Sequence, residues 1–196
     1  MRYLLFIALL IVNFNSNADQ VYGFDFGGKF TGHKKHKEIT GAKLLDHAYK
    51  IYDIKFFDFA EIETNDKFII QALSFSKTYK VNVFNIGVMK HKIIADYAHT
   101  ISHLEERYGK FDVSNSKNIL GYVGTLGGYY GKKINESASV KPINTDSIEL
   151  IKVFLSCPEG MSYDPNKFKK IELSVTYLHK EVLSMLKKRK STKQML

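Results

Sequence analysis

His99 and His103 stand one helical turn apart in the segment Asp96-Tyr-Ala-His-Thr-Ile-Ser-His-Leu-Glu-Glu106. Two imidazoles at i and i+4 on a helix can present nitrogen ligands to one divalent metal ion. A working metal site needs a third protein ligand and groups that orient the first two, and neither can be named from the sequence. The glutamate that follows the first histidine in the His-Glu-x-x-His metalloprotease pattern is replaced by Thr100. The polar side of an amphipathic helix is the simpler account of the pair, since the apolar stripe of the same segment lies on the other side.

A second chemistry open to this chain is the binding of anions. Lys34 and Lys35 lie between His33 and His36, Lys132 and Lys133 follow Gly131, and Lys187, Lys188, Arg189 and Lys190 form a run near the end. Lysines beside imidazoles repel a cation and attract an anion. These eight residues are the candidate rim of an anion- or partner-binding site. The last four follow an apolar face made by Leu178, Val182, Met185 and Leu186, an arrangement that fits peripheral contact with an anionic membrane surface. The competing reading is a terminal helix docked on the domain, its cationic end complementing the helix dipole.

Other chemistries find no pattern. Gly121, Gly124, Gly127, Gly128 and Gly131 invite comparison with a phosphate loop, but Leu126 stands where the first glycine belongs and Lys133 where Ser or Thr would hold Mg²⁺. There is no Gly-x-Ser-x-Gly elbow and no cysteine-protease signature around Cys157. The sequence therefore assigns no catalytic residue and no cofactor. Its reading is a non-enzymatic binding protein. A secreted hydrolase with a site assembled from distant residues is the alternative, and metal binding through His99 and His103 a further one.

Where such a protein would work is written at the amino terminus. Arg2 precedes the apolar run Tyr3–Val12, residues 13–17 turn polar, and Ser16 and Ala18 are small. This is the order of a secretory signal peptide, with cleavage expected after Ala18. The run is about half of the roughly twenty residues that a membrane-spanning helix needs. The expected organisation is a signal peptide over 1–18, one domain over 19–190 and a fraying tail over 191–196, with the periplasm or the extracellular space as destination.

Composition narrows the partner. The 196 residues carry a formal charge of +9, 44% are hydrophobic, and there is no tryptophan. The positive charge is spread along the chain and not gathered into an arginine-rich groove, which favours a protein or an anionic envelope component over nucleic acid. The single Cys157 excludes an intramolecular disulfide, and with Asp19 after the cleavage point there is no lipoprotein site. Cys157 is a small buried apolar residue or a thiol for intermolecular pairing. Oligomeric state is left open.

The elements that must position these groups follow from periodicity. Residues 21–28 read as a short opening strand and 29–43 as a surface loop. Tyr49, Ile51 and Phe57 belong to strands broken near Asp53–Asp58. Residues 59–75 form a hairpin turning at Thr64-Asn65-Asp66, and 81–86 continue as an extended piece. Apolar residues at 93, 94, 97, 98, 101, 104 and 108 predict one principal helix over about 91–108, stopped by Gly109. Short strands and turns are expected after residue 112, then a loop over 135–146. Strands over 148–155 and 168–177 pair antiparallel, and a second helix covers 179–190. The fold class is α+β: a mainly antiparallel twisted sheet with one amphipathic helix packed on it and a short basic helix at the end.

Overall fold

A computed structural model of the chain describes residues 19–32, 36–39, 45–112, 134–142, 144–157 and 163–186. The described strands are β1 (Asp19–Val21), β2 (Phe24–Phe26), β3 (His36–Glu38), β4 (His47–Ile54), β5 (Phe57–Thr64), β6 (Ile70–Val81), β7 (Ile134–Val140), β8 (Ile148–Cys157) and β9 (Lys169–His179). The principal helix α1 (Ile86–Tyr108) lies between β6 and β7 in the chain, and a short helix α2 covers 180–186.

Seven strands form one antiparallel sheet in the order β3-β4-β5-β6-β9-β8-β7, while β1 and β2 pair as a separate hairpin. The fold is α+β, mostly sheet. Alternation puts one residue in two on each face. Ile51, Ala60, Ile62, Leu73, Phe75, Val175, Tyr177, Ile151 and Val153 share the inner face and are buried. Lys50, Glu61, Ser74, Thr176 and Lys152 form one row across the other face. There the Ser74 and Thr176 hydroxyls meet at 2.9 Å and Lys50 pairs with Glu61 at 3.3 Å.

Helix α1 covers the inner face with Ile86, Ile93, Tyr97, Thr100, Leu104 and Tyr108 buried. Gly109, at φ +92°, closes it by donating its N–H to the Glu105 carbonyl at 3.0 Å. Its start differs from the expected extended piece over 81–86. The Asn82 side-chain oxygen accepts from the N–H groups of Phe84 and Asn85 at 3.0 and 3.2 Å, and Asn85 Oδ1 accepts from the Asn82 N–H at 2.9 Å. Two asparagines that answer each other's backbone turn the chain, so β6 ends at Val81 and the helix begins at Ile86.

The hairpin over 59–75 forms as its pattern predicts. Asn65 Oδ1 accepts from the N–H groups of Lys67 and Ile69 at 3.1 and 3.0 Å, which fixes its turn. Three further expectations need correction. The opening strand is a hairpin, because Tyr22 and Gly23 both adopt positive φ, 48° and 85°, and reverse the chain in two residues. The loop expected over 135–146 begins instead with strand β7, whose Ile134–Val140 pairs with β8. Part of the loop expected over 29–43 is likewise the edge strand β3, which pairs with β4 and exposes His36, Lys37 and Glu38. A short charged edge discourages further strand pairing.

Helix α2 sits at one end of the sheet, where Val182 is fully buried with Leu45, Ala72 and Leu178. The Gln71 side-chain amide donates to Glu181 beside them. Among the described residues no helix is long and apolar enough to cross a membrane.

The β1–β2 hairpin is pinned to the sheet just beyond its second strand. Gly27 donates to the Ile70 carbonyl at 3.0 Å, and Ile70 donates back to the Gly28 carbonyl at 2.9 Å. Gly27 has φ +81°, and a Cβ there would stand 2.4 Å from Ser147 Oγ. Gly27→Ala is therefore expected to cost about 1–2 kcal/mol, read as a lower urea midpoint at unchanged slope.

Candidate functional site

At about 100° per residue, His103 and Arg107 flank the buried stripe of α1, and His99, His103 and Arg107 form one i, i+4, i+8 ladder. Thr100 is buried and Ile101 only half-buried, so this ladder is turned more towards the sheet than the apolar positions 97, 101, 104 and 108 by themselves imply. The Thr100 hydroxyl donates to the Asp96 carbonyl at 2.7 Å, not to an imidazole.

Two turns approach the ladder. Tyr22 is the tip of the β1–β2 hairpin, and its ring meets Phe57 and Phe75 at centroid distances of 5.4 and 4.7 Å. Phe56 is the tip of the β4–β5 turn, at φ +75°. Both rings are 39% exposed although attached to left-handed backbone that bulky residues seldom adopt.

Helix and turns enclose a two-part cleft. The larger hollow, about 390 Å³, is lined by Tyr22, Lys55, Phe56, His99, Thr100 and His103. The smaller, about 230 Å³, is lined by Val21, Tyr22, His103, Leu104, Arg107, Tyr108 and Tyr177. Tyr22 and His103 are common to both. Among the described residues neither set contains an aspartate or glutamate, whereas Lys55 and Arg107 each contribute a permanent positive charge. One Arg107 nitrogen donates to the Gln20 carbonyl at 2.6 Å, which ties the ladder to strand β1.

Beneath Phe56 lies an ion pair on the inner face of the sheet. Lys77 Nζ is 2.8 Å from Asp96 Oδ2, and the Tyr79 hydroxyl donates to the same oxygen at 2.7 Å. Lys77 also lies 3.9 Å from the centre of the Phe56 ring, so the turn covers the pair. Burial by itself would raise the Asp96 carboxyl, but the hydrogen bonds from Lys77 and Tyr79 and the charges of Lys77 and Lys92 more than reverse it, leaving a net lowering. Tyr79 is pushed well up by burial, by its bond to Asp96 and by the charges of Asp96 and Asp58.

The structure places the predicted residues unequally. His99 and His103 are exposed on the cleft wall, their ring centroids 6.5 Å apart and their planes 22° from parallel. Among the described residues no group of three or more His, Cys, Asp or Glu is placed to hold a metal ion. Lys34, Lys35, Lys132, Lys133, Lys187, Lys188, Arg189 and Lys190 lie outside the described residues, as does the side chain of Cys157.

Sequence reasoning missed Tyr22, Lys55, Phe56, Arg107 and Tyr177 as site residues. Two signals were there to be used: Arg107 extends the histidine ladder by four residues, and Tyr22-Gly23 sits between two short alternating runs as a turn pair would.

Fold and cleft together define an antiparallel α+β domain with a lateral, cation-bearing aromatic cleft. No protein-family model matches the chain, no curated protein matches it, and no solved structure matches it.

Proposed function

We propose that this chain is an exported, non-enzymatic binding protein, and that the cleft beside α1 is its contact surface for another protein or an anionic envelope component. One observation carries the reading: exposed aromatic rings at two turn tips, both on left-handed backbone, border a cleft with two permanent cations and, among the described residues, no acidic lining residue. Backbone strain of this kind costs on the order of 1 kcal/mol per residue and gathers where a surface has a task. Aromatics with arginine are also the residue types that dominate contact energies. Export is supported by the order of residues 1–18.

The test is capture of a partner from envelope extract across a salt series, comparing the wild type with a Lys55→Gln, Phe56→Asn double variant. Asparagine tolerates the left-handed turn position, so the variant keeps the hairpin. The expected result is a partner retained by the wild type at low salt, released as salt rises, and not retained by the variant. Failure to recover any partner at low salt, or equal recovery by both proteins, contradicts the proposal. Export is checked by intact mass: the exported protein should begin at Asp19, and a full-length mass confined to the cytoplasm would refute it.

A further inference from the structure

The smaller hollow differs in kind from the rest of the cleft. Its apolar walls are Val21, Leu104 and the rings of Tyr22, Tyr108 and Tyr177, and the Tyr108 and Tyr177 rings meet edge to face with centroids 6.1 Å apart. Tyr177 borders the hollow although only 1% of its surface is exposed. Its phenol is raised by burial first, with Tyr22 and Tyr108 reinforcing the shift and Arg107 opposing it. Tyr108 is raised in the same way by burial, with Arg107 opposing and Asp19 and Tyr22 reinforcing.

Tyr22, Tyr108 and Tyr177 thus bring three phenols to one hollow, each a group that can donate an O–H. Asp19, the carboxylate that acts on Tyr108, accepts the Ser147 N–H at 3.0 Å. Arg107 stands at the rim with the His103 imidazole beside it.

We propose that this hollow is a binding pocket for a small aromatic carboxylic acid. Resting on the reading of the cleft as the contact surface, the assignment follows from how the hollow's chemistry is divided. Arg107 and the phenol O–H groups are all donors, which suits the two oxygens of a carboxylate. The rings and aliphatic side chains suit a flat apolar body in edge-to-face contact. The volume of about 230 Å³ is of single-ring size, not that of an extended chain. An inorganic anion would leave the apolar walls without a partner, and an amine would face Arg107 with like charge.

The probe is benzoate, titrated into the purified mature chain and followed by ¹H–¹⁵N NMR, with benzamide as its neutral counterpart of nearly the same shape. Benzoate should shift the signals of Tyr22, His103 and Tyr108, and benzamide should bind about tenfold more weakly or less. Arg107→Gln alters an exposed residue and should weaken benzoate about tenfold. Tyr177→Phe removes only a hydroxyl and should also weaken it, while leaving the melting curve nearly unchanged. Lack of saturable benzoate binding, equal affinity for benzamide, or full affinity in both variants overturns the pocket. Those results leave the capture experiment standing, because it reads Lys55 and Phe56 in the larger hollow.

Discussion

Phe75→Ala is expected to remove about 4 kcal/mol of stability. Phe75 is fully buried at the middle of β6, and its ring meets Tyr22, Phe57, Phe24 and Tyr177 at centroid distances of 4.7, 5.2, 6.0 and 6.2 Å. Truncation loses the transfer energy of the ring and leaves a cavity that its neighbours, belonging to three other strands and a turn, cannot all close. Because domains of this kind are stable by only about 5–15 kcal/mol, the variant should be marginal at physiological temperature. Urea unfolding followed by circular dichroism measures the loss, and Phe75→Leu should recover much of it. A cost below about 1 kcal/mol would mean that Phe75 does not hold the β1–β2 hairpin, and with it Tyr22, against the sheet.

Asp96→Asn is the second large effect. Removing one partner of a fully buried ion pair costs about 3–5 kcal/mol, and an exposed pair contributes at most about 1. Lys77 and Asp96 side chains are each 18% exposed, which places the expected loss near 2 kcal/mol. Asparagine leaves the Lys77 ammonium under the Phe56 ring without a counter-charge and weakens the bond from Tyr79.

The pH dependence has a definite sign. The folded carboxyl of Asp96 is lowered, so its contribution is complete above the unfolded value near pH 4 and fades as pH falls through the folded value. The stability gap between wild type and Asp96→Asn should therefore be constant from about pH 6 to 8 and narrow progressively as pH falls below about 4. A gap that does not narrow at all as pH falls below about 4 would assign the loss to packing and not to charge.

Much of the sheet was legible because one face had to be buried. In Phe59–Phe75, Ile148–Leu155 and Phe168–Tyr177 a shift of one residue would expose the whole apolar set, so alternation alone fixes which side faces α1. The helix was legible for the same reason, its buried stripe recurring every three or four residues from Ile93 to Tyr108. What escaped was decided by contacts that composition does not encode. The start of α1 depends on Asn82 and Asn85 bonding each other's backbone, while Val83 and Phe84 between them favour a strand.

Strand β7 is the converse case. Ile134-Asn-Glu-Ser-Ala-Ser-Val140 has little strand preference of its own and is extended because β8 offers it a complete edge to pair with. Of the candidate site, the histidine ladder was visible in the spacing. Its opposing wall was not, since Tyr22 and Phe56 reach the cleft only through left-handed turns that glycine or asparagine would ordinarily occupy.

The central claim, that the cleft and not the open face of the sheet is where this protein meets its partner, can be tested in cells by site-specific photo-crosslinking. A photoreactive phenylalanine analogue would replace either His99 on the cleft wall or Lys170, exposed on β9 at the opposite face of the sheet. The account predicts a discrete adduct of defined mass from position 99, abolished by Lys55→Gln with Phe56→Asn, and none from position 170. An adduct from position 170 with none from position 99 would contradict it.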